Sequence, residues 1–223
     1  MSLLTFAIGD IHGCQRALTD LLRQCRDHAR GQPHRLVFIG DYVDRGLDSR
    51  AVIATLRALE QQQEKPDMVV CLMGNHEEMM LGAIDTGDAM NWLFNGGGET
   101  LQSYGVRNPM VVPEEDVAWL RGLRLSFDDG QRFFAHAGVD PDQPLDRQER
   151  EALLWIRGPF HRATKDYGRL IVHGHTPSRN GRPEIRPNRI NIDTACVYGG
   201  TLTAAVFTED SIAPVKFLTA RED

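Results

Sequence analysis

The chain has 223 residues, 41% hydrophobic and 25% charged, with 31 acidic and 25 basic side chains and a formal net charge of -6. That length can bury a substantial core in one domain over 1–223, without staples. The acidic balance argues against broad nucleic-acid binding, which leaves a basic footprint. No apolar run is long enough to span a bilayer, so no membrane partner is expected. Cys14, Cys25, Cys71 and Cys196 show no C-x-x-C spacing and read as buried thiols rather than disulfides or zinc ligands. The run from Leu3 to Ile8 is too short and lacks the basic flank of a secretory signal, which makes a reducing cytoplasm the expected compartment.

Leu3 to Ile8 reads as a buried strand, and Ala17, Leu18, Leu21, Leu22 and Cys25 then recur at helical spacing. Arg35 to Ile39 is a second strand, followed by a helix carrying Val52, Ile53, Leu56 and Leu59 that Asp48 or Ser49 would cap. Met68 to Met73 is a third. This β-α-β-α-β order predicts a parallel sheet with its loops gathered at one edge. Glu77 to Ile84 and Glu114 to Leu123 look helical, with a tight or flexible loop at Asn95 to Gly98 between them. Asp128-Asp129-Gly130 marks a hairpin joining Leu123–Phe127 to Arg132–Ala135. Leu170–Val172, Arg189–Ile192, Leu202–Phe207 and Ala213–Leu218 suggest a largely antiparallel second sheet, with an exposed Pro177–Pro187 loop. The expected fold is α/β, two packed mixed sheets flanked by helices.

Five polar clusters punctuate these elements: Gly9-Asp10-Ile11-His12-Gly13, Gly40-Asp41-Tyr42-Val43-Asp44-Arg45-Gly46, Gly74-Asn75-His76-Glu77, His136-Ala137-Gly138 and His173-Gly174-His175-Thr176. Ligands delivered at the ends of successive strands can converge on one crevice. Asp10 and His12, two apart in an extended segment, would point the same way. Carboxylate with imidazole suits manganese, iron or zinc better than calcium. Asp41 could bridge two ions, Asn75 offers an amide oxygen, and His136 and His175 add nitrogens. Neighbouring metals can hold a water and lower its pKa to near neutrality. Arg45 and Arg157 could then steady a phosphoryl group. His76 could protonate a leaving alkoxide, oriented by Asp44. No serine or cysteine looks activated, which favours direct attack by water.

The bland readings differ in force. Asp, Asn and glycine together often mean turns, but not at three successive strand ends. His173 reads as structural, Glu77 and Glu78 as stabilisers of a helix's first turn, and His28, His34 and His161 as solvated. Met79-Met80 and Trp92-Leu93-Phe94 read as core.

The ordered set resembles the metallophosphoesterases of the PPP protein phosphatase family, from Ile8 to about Val206. Beyond the clusters the likeness includes Glu78-Met79-Met80, Asn91 to Gly98, Leu154-Trp155-Ile156-Arg157, Thr176-Pro177 and Ile192-Asp193-Thr194. It implies a first metal on Asp10, His12 and Asp41 and a second on Asp41, Asn75, His136 and His175. It also implies His76 as proton donor, Asp44 as its partner and Arg45 with Arg157 as phosphate clamp. Two divalent ions are implied, manganese above iron or zinc, and a phosphorylated protein or peptide as substrate. His136-Ala137-Gly138 also occurs in related symmetrical diadenosine tetraphosphate hydrolases, so a dinucleoside polyphosphate hydrolase is the nearest alternative; Asp44 favours the phosphatase. A catalytically silent, metal-bound scaffold is the alternative of another class.

Overall fold

A computed structural model of the chain describes residues 2–222. The predicted β-α-β-α-β run is present as β1 (Leu4–Ile8), α1 (Gln15–Ala29), β2 (His34–Phe38), α2 (Ser49–Gln61) and β3 (Val69–Cys71). The strands are parallel, with Leu4 opposite His34 and Leu36 opposite Val69. Every residue of β1 is buried because both of its faces are covered. Phe6, Ile8 and Phe38 pack against Leu18, Leu21, Val52, Ile53 and Leu56 of the two helices. Ala7, Val37 and Val70 face the other way, into a second apolar layer.

Next come α3 (Asn75–Thr86), the short α4 (Met90–Trp92), α5 (Gly98–Tyr104) and α6 (Glu114–Arg121). The hairpin at Asp128–Gly130 joins β4 (Ser126–Asp128) to β5 (Arg132–Ala135) as expected. Two short helices, α7 (Arg150–Trp155) and α8 (Gly158–Arg162), lead to β6 (Leu170–His173), β7 (Glu184–Ile185), β8 (Arg189–Asn191), β9 (Leu202–Phe207) and β10 (Lys216–Ala220).

The last four predicted strands do not share an antiparallel sheet. β9 and β10 complete the first sheet, in the order β10-β9-β1-β2-β3, while the second runs β4-β5-β6-β8-β7. β5, β6 and β8 are mutually parallel. The physical reason is the bare edge of β1. An apolar edge strand needs a partner, and β9, buried along its whole length, pairs antiparallel with it. The long connection from β5 to β6 gives a parallel crossover. Phe134, Val172 and Ile190 of the second sheet meet Ala205, Phe207, Val37 and Ile39 of the first in the layer between them. The two mixed sheets flanked by helices are as the sequence implies.

Other local expectations change. Asp48 occupies the cap position of α2 without a side-chain cap bond, and the Ser49 hydroxyl instead accepts from the Asp44 N–H at 3.1 Å. Asn95–Gly98 takes the tight form of the two expected: the chain kinks between α4 and α5 at Gly96, φ 102°. Trp92 is core, but Leu93 and Phe94 are exposed. All four cysteines are free and buried. Among the described residues no helix is long and apolar enough to cross a membrane.

Candidate metal centre and active site

Asp10, Asp41 and Asn75 stand just beyond β1, β2 and β3, so parallel pairing brings them to one edge. His136 and His175 follow β5 and β6 at the corresponding edge of the second sheet. All five, with His12 and His76, are buried. His12 does not lie in extended backbone, as its spacing from Asp10 suggests. It sits in a turn at φ 46°, and the turn directs its ring inward. Among the described residues, five of the eight non-glycine residues with positive φ are His12, Asp41, Asp44, Arg45 and His175. Such strain survives where surrounding contacts over-determine it, and it gathers at functional sites.

Those contacts centre on Glu77. It lies in the first turn of α3 as expected, and its Oε2 accepts the Gly74 N–H at 2.8 Å. It does more than steady a helix. The same carboxylate accepts the N–H groups of Asp41, Tyr42 and Val43 at 2.8, 2.7 and 3.2 Å. One buried side chain thus ties the loop after β2 to the loop after β3. Glu77→Ala would leave four buried N–H groups without partners and should cost about 4 kcal/mol in denaturant unfolding. Glu77→Gln should not rescue it, because the amide nitrogen would face two N–H donors. Wild-type stability in both variants would contradict this account of the loops.

Around Asp41 the ligand atoms form two groups, His12–Asp41–His76 and Asp41–His136–His175, each with atoms within 4.8 Å of one another. Asp41 Oδ2 lies 3.4 Å from His12 Nε2, and Oδ1 lies 3.3 Å from His136 Nε2. His12 Nδ1 donates to the Val43 carbonyl at 2.8 Å and His136 Nδ1 to the Ile39 carbonyl at 3.0 Å. Each bond leaves Nε2 as the free lone pair, the outer-shell arrangement that orients metal-binding histidines. Asn75 Oδ1 sits 2.9 Å from His136 Nε2 and 2.8 Å from His175 Nδ1.

Burial pushes Asp10 well above the usual carboxylate range, with Asp193 and Asp41 adding to it. Burial likewise pushes Asp193 up to about 6. For Asp41 burial acts upward too, but His136, His76 and His12 outweigh it and hold the carboxyl well below its ordinary value. Burial lowers His136 and takes His175 down to about 2, which favours the lone pair that a cation needs. At His12 burial also acts downward, but contact with Asp41 prevails and raises it.

This donor set fits divalent cations. Asp10 Oδ2 accepts the His175 N–H at 3.0 Å, whereas its buried Oδ1 has no hydrogen-bond partner. A Cβ on Gly174 would stand 2.0 Å from that oxygen, and one on Gly74 would stand 2.2 Å from Asp41 Oδ1. Glycine at both positions keeps the carboxylates' surroundings clear. Three buried carboxylates close together, one with a free oxygen, are relieved by positive charge.

Beside this cluster, His76 Nδ1 meets Asp44 Oδ2 at 2.6 Å, and its ring packs edge-on against His12 at 4.6 Å between centroids. Asp44 is fully buried and is itself fixed: Thr100 Oγ1 donates to Oδ1 at 2.7 Å and Trp92 Nε1 to both oxygens at 2.9 Å. Arg45 Nη1 lies 2.6 Å from His12 Nε2, and Arg157 Nε donates to His175 Nε2 at 3.0 Å. Both guanidiniums line one cleft of about 230 Å³ with Asp10 and His175. Every residue the sequence offered as metal ligand, proton donor, its partner or phosphate clamp is therefore in one neighbourhood.

His173 is not part of it; fully buried, it packs edge-on against Phe160 at 5.0 Å, in keeping with a structural role. Sequence reasoning missed Glu77's hold on the Asp41 loop, the Trp92 and Thr100 bonds to Asp44, and Asp193 on the cleft wall. For Trp92 the signal was an indole N–H in a core run, which must find an acceptor.

Two packed mixed sheets with carboxylates and imidazoles converging at their strand ends define a metal-dependent phosphoesterase. The chain belongs to the calcineurin-like phosphoesterases, whose family model matches residues 4–209. It is 32% identical over 215 residues to serine/threonine-protein phosphatase 1 of Salmonella typhimurium, covering 90% of each chain. It is 29% identical over 238 residues to the asymmetrical bis(5'-nucleosyl)-tetraphosphatase PrpE of Anoxybacillus flavithermus, covering 91% of this chain and 89% of that one. Among solved structures, a cold-active protein tyrosine phosphatase shares the fold, with a TM-score of 0.72 over 98% of this chain and 79% of that one at 20% identity.

Proposed function

We propose that this metallophosphoesterase is a single-domain phosphomonoesterase that hydrolyses phosphoserine and phosphothreonine in proteins or peptides by direct attack of water. The observation that carries the reading is the buried Asp44–His76 pair, 2.6 Å apart, set beside the shared Asp41 and two arginines. Asp10, His12 and Asp41 would hold one divalent cation, and Asp41, Asn75, His136 and His175 the other. Manganese suits these donors, as iron and zinc also do. Once bound, such cations lower the pKa of water to near neutrality.

The remaining steps belong to the chain. Arg45 and Arg157 present paired N–H donors to the phosphoryl oxygens and hold the ester in line. Asp44 occupies His76 Nδ1, which directs the other nitrogen, Nε2, to protonate the departing alkoxide. The four free buried thiols support a reducing cytoplasm as the place of action.

A second reading, hydrolysis of dinucleoside polyphosphates, is favoured by the likeness to the Anoxybacillus enzyme over nearly the whole chain. Side-by-side kinetics on a phosphoserine peptide and diadenosine tetraphosphate with manganese decide between them. The expected result is a kcat/KM for the peptide about tenfold or more above that for the dinucleotide; the reverse order would transfer the assignment. Metal-loaded protein inert towards every phosphate ester would instead revive a scaffold role.

A further inference from the structure

A second hollow of about 730 Å³ opens on the other side of Pro177, the residue that also walls the catalytic cleft. Its charge runs against that of the chain, which is -6 overall. Arg179, Arg186 and Arg189 line it against a single carboxylate, Glu184. Glu184 Oε1 is already shared, accepting from Arg186 Nε at 2.8 Å and Arg189 Nη2 at 3.2 Å. Two positive charges are left over, and Arg179 makes no ion pair among the described residues.

The wall residues also include polar atoms that lack partners. His161 Nε2, Thr176 Oγ1 and Ser178 Oγ are each buried without a hydrogen-bond partner. His161 is therefore half-buried, with one ring nitrogen shielded, where its polar neighbours suggest full solvation. The backbone around these groups is pinned: Asn191 Nδ2 donates to the Thr176 carbonyl at 2.7 Å, and the Ser178 N–H donates to the Asp193 carbonyl at 3.0 Å. The hollow is preformed and carries surplus guanidinium charge. A carboxylate has two oxygens and one charge; a phosphate has more of both and matches the arginines better.

We propose that this basin binds a second phosphate carried by the substrate, across Pro177 from the phosphoryl group that is hydrolysed. The inference rests on the phosphate-ester chemistry assigned to the cleft. The second phosphate comes from another phosphorylated residue of a peptide or from the polyphosphate chain of a dinucleotide.

The test pairs wild type with the double variant Arg179→Gln/Arg186→Gln, which alters exposed side chains and leaves the catalytic cleft untouched. Substrates are p-nitrophenyl phosphate, a singly and a doubly phosphorylated peptide, and diadenosine tetraphosphate. Expected is an unchanged rate on p-nitrophenyl phosphate and on the singly phosphorylated peptide. The variant's kcat/KM should fall about tenfold, through KM, on whichever substrate supplies the second phosphate. A fall confined to the doubly phosphorylated peptide names peptides as the source, and one confined to the dinucleotide names nucleotides. Equal values in variant and wild type on every substrate overturn the proposal. A readout independent of turnover is the His161 ring signal in NMR, titrated with inorganic phosphate. It should shift saturably in wild type and less in the variant; a ring signal that phosphate leaves unmoved also overturns the basin. Movement of His161 in a protein that hydrolyses none of these esters would keep the basin and discard the activity assigned to the cleft.

Discussion

Asp41→Asn is expected to lower kcat on any phosphate ester by about a thousandfold or more and to abolish tight binding of a second divalent ion. Both groups of candidate ligand atoms contain this one carboxylate. Its two oxygens face different histidines, Oδ2 towards His12 and Oδ1 towards His136. An amide keeps the shape but loses the charge and one acceptor, so neither ion would keep its full set of donors. The fold should hold, because Glu77 grips the Asp41 N–H and not its side chain. The check is calorimetric titration with manganese, run together with kinetics on p-nitrophenyl phosphate. Two tightly bound ions and near-wild-type turnover in Asp41→Asn would sink the shared-ligand reading. In wild type, manganese affinity should rise with pH. Asp10 in the metal-free protein keeps its proton to higher pH than an ordinary carboxyl, and a cation must displace it.

His76→Asn should behave differently: kcat falls about 10²- to 10⁴-fold while two ions still bind. The leaving group exposes the role. An alkyl phosphate such as phosphoserine departs as a strongly basic alkoxide and needs the proton. p-Nitrophenolate is a good leaving group and needs it less. The loss should therefore be much larger on a phosphoserine peptide than on p-nitrophenyl phosphate. Equal losses on the two would contradict His76 as proton donor and point instead to a role in holding metal, since it stands in one ligand group. Asp44→Asn should reproduce part of the same pattern, because an amide can present its N–H to His76 Nδ1 and select the wrong tautomer.

The three parallel strands were readable because Phe6-Ala7-Ile8, Val37-Phe38-Ile39 and Val70-Cys71-Leu72 are continuous apolar runs, each ending in a polar residue beside glycine. Strand order and ligand position thus came from one pattern. The sheet to which Leu202–Phe207 belongs was not readable, since a strand apolar on both faces fits any central position. Only the open edge of β1 chooses it.

The His12 turn was hidden for a related reason. Two-residue spacing means a shared face in a strand, but glycine on both sides of Asp10 to His12 permits a turn instead. Glu77 was half readable: a glutamate in the first turn of α3 signals a capping role. Its three bonds to the loop after β2 come from a segment more than thirty residues earlier, which no local pattern reports. The anchoring of Asp44 by Trp92 and Thr100 depends on the kink at Gly96 between α4 and α5, which glycine permits but does not by itself announce.

Anomalous diffraction from crystals soaked in manganese tests the central idea most directly. The account predicts two strong peaks, one on either side of the Asp41 carboxylate, bounded by Asp10 and His12 in one direction and by Asn75, His136 and His175 in the other. A single peak away from Asp41, or none among these side chains in well-ordered crystals, would contradict it.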